Sequence, residues 1–251
     1  INIMLAAVYA DGVTTIENAA REPHIVDTAS FLNACGADIT GAGTSMIRIR
    51  GVKKLHGCKY DVAPDMIEAG TYMTAVAAAG GEVTLHRVIP RHMEATVAKL
   101  REIGVKVETT DDSITVSSTG QYRGTEIKTN PYPGFPTDMH PQFAAMLCVA
   151  NGVSKISEGI WEGRFRYAEE LGKMGARIDI VDNAAHITGV SSLHGAVVKA
   201  NDLRAGASLV VAALCARGVT TVTGLEYIDR GYEDLPGKLR KLGADITRVT
   251  Q

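Results

Sequence analysis

One pattern returns four times along the 251 residues, so the fold has to be assembled from that unit. Each pass contains a glycine-led strand candidate: residues 11–16, 81–85, 152–156 and 218–222. Each strand follows an alanine-rich helical run and precedes a loop that holds an arginine, Arg21, Arg91, Arg164 or Arg230. An amphipathic stretch comes next. Over residues 91–104 the apolar side chains Met93, Val97, Leu100 and Ile103 recur at helical spacing. The stretch closes on Gly36, Gly104, Gly175 or Gly243, the residue type suited to a left-handed helix C-terminus. A strand pair then finishes the unit, as in 37–39 with 46–49 and 177–180 with 185–188.

The unit reads strand–helix–strand–helix–strand–strand over about 70 residues, which makes the class α/β. Its first helix is rich in alanine on every side (74–79, 205–213), as an interior helix must be. The second carries Lys99, Arg101 and Glu102 and reads as the solvent-facing one. Both ends of the chain fall inside a unit. Residues 1–10 read as the end of an inner helix, and a strand at 246–249 lacks the return strand of its hairpin. An unpaired strand edge is a liability, so residues outside these 251 are expected to complete both units.

Composition narrows the function. A net charge of −2 with 22% charged residues provides no basic field for nucleic acid or an anionic membrane surface. No apolar run reaches the roughly 20 residues needed to span a bilayer. The apolar N-terminus has no basic flank or cleavage site, so it is not a signal peptide. Cys35, Cys58, Cys148 and Cys215 show no metal or redox spacing and read as reduced thiols packed as small hydrophobes. A cytoplasmic setting with no metal or cofactor is the expectation.

Chemistry collects at the starts of the inner helices. In residues 131–142 (PYPGFPTDMHPQ) three prolines stiffen the approach before Thr137 and Asp138 reach a helix start. Asp138 reads either as a favourable first-turn charge or as a carboxylate presented beside an anion site. Asp65 and Asp202 hold the same place in neighbouring units, which favours the capping reading, but Arg204 follows Asp202 at the same helix entrance. Arg164 and Arg230 are either surface ion pairs or two-pronged anion ligands that converge on a cationic pocket if the repeats share an axis.

Four motifs carry a resemblance. They are PGFPTDM (133–139), ENAAREP (17–23) with Ile25-Val-Asp27, DLRAGAS (202–208) and DRGYE (229–233). Together they resemble the UDP-N-acetylglucosamine 1-carboxyvinyltransferase (enolpyruvyl transferase) family, over essentially the whole chain. The resemblance implies an inside–outside α/β barrel of six units in two domains. Residues 1–62 would be the last unit of one domain and 63–251 the three units of the other. It implies transfer of the enolpyruvyl group of phosphoenolpyruvate to the 3-hydroxyl of UDP-N-acetylglucosamine, with release of phosphate, early in peptidoglycan synthesis.

Carried over by motif, Asp138, Asp202 and Arg230 would be catalytic, Asp138 taking the proton of the sugar hydroxyl. Asp138, Ile160, Arg164, Arg204 and Arg230 would bind substrate, Ile160 through its backbone and Arg230 through the phosphoenolpyruvate anion. The family's Lys-Asn pair and the mobile loop with a reactive Cys or Asp have no counterpart here. These residues alone are therefore expected to lack turnover and to need an N-terminal segment. Met66 stands where many members carry arginine. The alternatives are a non-catalytic relative that binds UDP-sugar, or a 3-phosphoshikimate 1-carboxyvinyltransferase.

Overall fold

The repeat's closing glycines all adopt the left-handed backbone: φ is +97° at Gly36, +102° at Gly104, +89° at Gly175 and +101° at Gly243. A side chain at such φ is strained, so these positions fix where the second helix of each unit stops. They come from a computed structural model, which describes residues 1–249.

The first pass contains α1 (Asn2–Ala7), β1 (Val13–Glu17), α2 (Pro23–Ala34), β2 (Asp38–Thr40) and β3 (Met46–Arg50). The second contains α3 (Met66–Ala79), β4 (Gly81–His86), α4 (Glu94–Ile103), β5 (Lys106–Thr109) and β6 (Ser113–Ser118). The third adds an opening strand: β7 (Glu126–Lys128), α5 (His140–Leu147), β8 (Val153–Ser157), α6 (Tyr167–Lys173), β9 (Arg177–Val181) and β10 (Ala184–Thr188). The fourth runs β11 (Val197–Lys199), α7 (Leu203–Cys215), β12 (Thr221–Thr223), α8 (Leu225–Asp229) and α9 (Leu235–Lys241).

The sheets of the first three passes follow one plan, in the orders β1-β3-β2, β4-β6-β5 and β7-β8-β10-β9. In these three the closing hairpin's second strand pairs antiparallel with the strand that follows the inner helix. Thus Ile16 faces Ile47, Val83 faces Val116 and Ile156 faces Ala185. Opening strands β7 and β11 run parallel to β8 and β12.

The chain divides into two compact units, Ile1–Pro64 with Pro131–Gly134, and Asp65–Asn130 with the residues from Phe135 on. In the first, Met4, Val8, Ile25, Leu32, Ile47 and Ile49 form the core. Helix α1 is buried only through Met4 and Ala7, while Ile3 and Leu5 stay exposed. In the second, α3, α5 and α7 pack on one another. All eight residues of α5 are buried, as is every residue of α3 from Ile67 to Ala78 except Glu68. Helix α8 also lies close against α7, where a Cβ on Gly206 would lie 2.6 Å from Ile228 Cγ1. The outer α4 shows the expected single buried stripe of Thr96, Val97, Leu100 and Ile103.

Two expectations fail locally. The second pass has no opening strand before α3; residues 51–65 are irregular, and their glycines and lysines offer no alternating apolar face. Residues 246–249 form no strand either, since strand geometry needs a ladder neighbour and none lies beside them among the described residues.

Phe143, fully buried in α5, sits edge-on to Phe135 with ring centroids 4.9 Å apart. Phe143→Ala is expected to cost about 3–5 kcal/mol, read as a lowered urea midpoint. A loss below about 1 kcal/mol would show that the three-helix packing is not what holds the second unit.

Candidate functional site

The loop ahead of α5 is anchored where Asn130 N–H donates to the Phe135 carbonyl (3.0 Å). Thr137–Met139 then form a single 3-10 turn, and Met139 becomes the N-cap of α5 with no side-chain cap. Pro141 lies in the first turn, and it has no backbone N–H to satisfy. Asp138 is therefore not a cap, unlike its repeat equivalents. Asp65 accepts from Ile67 N–H at 2.7 Å, and Asp202 accepts from Arg204 N–H and Ala205 N–H at 2.9 and 2.8 Å.

The Asp138 carboxylate meets two arginines instead. Its Oδ1 lies 2.8 Å from Arg164 Nη2, and its Oδ2 lies 3.1 Å from both Nε and Nη2 of Arg204. Arg164 and Arg204 are mostly covered, at 18% and 13% side-chain exposure, while Asp138 keeps 39%. Burial alone would raise the Asp138 pKa, but the two guanidinium groups outweigh it and hold the pKa below the ordinary carboxylate value. The carboxylate is thus ionised and still reachable.

Each arginine has a second support. Arg204 Nη1 donates to the Tyr232 hydroxyl at 3.2 Å, and that hydroxyl also meets Thr71 Oγ1 at 2.9 Å and Gln142 Nε2 at 3.4 Å. Arg164 Nη1 donates to Thr137 Oγ1 at 2.9 Å. Thr137 Oγ1 donates in turn to Glu158 Oε2 at 2.9 Å.

Glu158, at the end of β8, has a fully buried side chain. Its Oε2 also accepts from His140 Nδ1 at 2.8 Å, and its Oε1 accepts from Thr129 Oγ1, Ile160 N–H and Trp161 N–H. Burial pushes its pKa up, but the bonds from His140, Thr129, Ile160 and Trp161 bring it down to about 2. Burial lowers the His140 pKa despite Glu158, so the imidazole is neutral, with Nδ1–H donating to Glu158 and Nε2 accepting from Tyr167 (2.7 Å).

The motif residues thus separate into two groups. Asp138, Arg164 and Arg204 form one cluster, with Asp202 at the entrance of the helix that carries Arg204. Within the cluster two guanidinium groups share the single Asp138 carboxylate. Arg230 is exposed at the end of α8, and its side chain has no hydrogen bond or ion pair among the described residues. Ile160 is exposed, but its N–H is committed to Glu158. Met66 packs half-buried against the apolar core. Glu158 and Tyr232 were not anticipated. The available signal was His140 and Gln142 in an otherwise apolar helix, since buried polar side chains require partners.

Comparison with known proteins follows the same lines. The EPSP synthase (3-phosphoshikimate 1-carboxyvinyltransferase) family matches residues 1–239. A UDP-N-acetylglucosamine 1-carboxyvinyltransferase of Clostridium botulinum is 55% identical over 249 residues, covering 99% of this chain and 60% of that protein. One from Caldanaerobacter subterraneus is 56% identical over 251 residues, covering 100% and 60%. Among solved structures, the enolpyruvyl transferase NikO from Streptomyces tendae superposes with a TM-score of 0.85 at 32% identity, over 97% of this chain and 58% of NikO. An EPSP synthase from Acinetobacter baumannii, at 23% identity and a TM-score of 0.73, shares the fold over 99% of this chain and 60% of its own. The chain spans about 60% of the length of these curated relatives.

Glu158 makes the folded state sensitive to acid. Its pKa is depressed on folding, so its contribution is complete above the unfolded value near 4.3 and is lost as pH falls towards 2. The loss is expected to be about 3 kcal/mol. Urea unfolding between pH 5 and 2 should show a steeper decline for the wild type than for Glu158→Gln. Parallel declines would remove Glu158 as the source.

Proposed function

The chain belongs to the EPSP synthase family, and from that premise we propose that it carries the acceptor-activating part of a UDP-N-acetylglucosamine 1-carboxyvinyltransferase. The observation that carries this reading is one ionised, reachable carboxylate held between two arginines inside the PGFPTDM loop. In the reaction, the C3 methylene of phosphoenolpyruvate gains a proton and the sugar 3-oxygen bonds to C2, giving a tetrahedral ketal. Loss of phosphate from C2 and of a proton from C3 restores the double bond as an enolpyruvyl ether.

Asp138 takes the proton that the 3-hydroxyl gives up, which its ionised state permits. Arg164 and Arg204 supply fork geometry that matches carboxylate or phosphate. Arg230, whose side chain meets no hydrogen-bond or ion-pair partner among the described residues, takes the phosphoenolpyruvate anion. Asp202 stands beside Arg204 near the reacting carbons, and Ile160 offers its carbonyl to the UDP-sugar, its N–H being occupied.

The domain reading belongs to the same proposal, with residues 1–62 as the last unit of one domain and 63–251 as three units of a second. The division of the chain after Pro64 supports it. A Lys-Asn pair and a reactive-loop Cys or Asp would come from residues outside these 251. The setting would be cytoplasmic peptidoglycan precursor synthesis, on which cell-wall growth, cell shape and division depend.

The test uses the protein at its relatives' full length. Phosphate release from phosphoenolpyruvate should require UDP-N-acetylglucosamine. Release driven by 3-phosphoshikimate instead would overturn the substrate assignment, and release with neither acceptor would overturn the transfer. Asp138→Ala should lower kcat by about 10²–10⁴-fold while UDP-sugar binding changes little. Near-normal turnover in that variant would return Asp138 to a structural role.

A further inference from the structure

Glu158 stands outside the carboxylate–arginine cluster, yet it reaches the cluster through one hydroxyl. Thr137 Oγ1 lies between them, donating to Glu158 Oε2 at 2.9 Å and accepting from Arg164 Nη1 at 2.9 Å. A threonine hydroxyl has one proton, so Glu158 decides its direction. With that proton turned to the carboxylate, the oxygen lone pairs face Arg164. The guanidinium is then held from two sides, by Thr137 through Nη1 and by Asp138 through Nη2. Residues 158–164, from which Arg164 projects, form no helix or strand.

The other carboxylate oxygen grips the same loop by its backbone. Glu158 Oε1 accepts from Ile160 N–H at 2.9 Å and from Trp161 N–H at 3.2 Å. Two successive N–H groups aimed at one buried oxygen fix the turn that leads to Arg164. The carboxylate is itself locked, by His140 from the first turn of α5 and by Thr129 at the end of β7. His140 is held in turn by the buried Tyr167. A charge so placed is costly to bury unless its lone pairs are met, and here five donors meet them.

We propose that Glu158 is a positioning residue: it orients Arg164 towards Asp138 through the Thr137 hydroxyl, and it holds the Ile160–Trp161 turn on the same carboxylate. Its catalytic purpose rests on the transfer reading above, but the positioning itself does not. Glu158 touches no reacting atom in this scheme. It acts on the cluster through Thr137 and on the loop through two backbone bonds.

Two readouts on the protein at its relatives' full length, neither using substrate, test it. The side-chain carboxyl of Asp138 can be titrated by carbon-detected NMR, and Trp161, the sole tryptophan of these 251 residues, reports on the turn by the difference in emission from a Trp161→Phe control. Thr137→Val removes the linking oxygen, whereas Thr137→Ser keeps it. In Thr137→Val the Asp138 midpoint should rise by about one pH unit as Arg164 loses its fixed geometry. Thr137→Ser should restore the wild-type value. Glu158→Gln should raise the midpoint similarly and make Trp161 more readily quenched by iodide. Thr137→Val, which leaves the Oε1 contacts in place, should leave Trp161 quenching unchanged.

An Asp138 midpoint that is the same in wild type, Thr137→Val and Thr137→Ser would overturn the proposal. So would equal shifts in Val and Ser, because the oxygen would then not be the link. A folded Glu158→Gln variant with the wild-type Asp138 midpoint and wild-type Trp161 quenching would also overturn it. If that variant unfolds, Glu158→Asp, which keeps the charge but withdraws the oxygens from Thr137, replaces it with the same expected rise. Failure of the transfer reading would look different: no UDP-N-acetylglucosamine-dependent turnover, with the Asp138 midpoint still moved by Thr137→Val.

Discussion

Three helices that are apolar on nearly every side have to be packed together, and that requirement places the polar chemistry. A helix buried around its circumference cannot carry charge along its length, because an unpaired charge there is prohibitively costly. Along α3 and α7 the interior hydroxyls satisfy themselves on the helix: Thr71 bonds to the Ile67 carbonyl, Thr74 to Thr71 and Ser208 to Ala205. Charged groups are displaced to the N-terminal ends. Asp65, Asp138, Asp202 and Arg204 all sit there, beside the unpaired N–H groups that a helix start exposes. Gly70 belongs to the same crowding, since a Cβ on it would lie 2.6 Å from Met139 Sδ.

Repetition supplies three equivalent helix starts, and one of them is altered. Asp65 and Asp202 satisfy backbone N–H groups of the helices they precede. At the third start a 3-10 turn precedes α5, and Pro141 in the first turn reduces the number of donors that need a cap. The carboxylate of Asp138 is thereby released to Arg164 and Arg204. A structural charge in two units becomes a site charge in the third without any change of residue type.

Glu158 shows how a charge can be kept inside such a core. Its two oxygens meet donors from a strand end, a helix start and a following loop, so no lone pair is left to an apolar surface. The partner imidazole is neutral, which makes the contact a directed hydrogen bond to an anion rather than an ion pair. Buried networks of this kind hold geometry well when every member is satisfied.

Much of the fold was legible in the residues alone. The alanine-rich runs, the amphipathic stripe of Val97, Leu100 and Ile103 and the closing glycines report local backbone preference and burial, both of which are written along the chain. The four motifs identified the family by resemblance, which is also carried by the order of residues alone. What only tertiary structure decided is which polar groups meet. Arg204 reaches Asp138 across 66 positions, and Tyr232 reaches Thr71 across 161. Periodicity fixes which face of an element is apolar, but a hydrogen bond depends on positions in space to within a few tenths of an ångström, and those exist only once the units have packed.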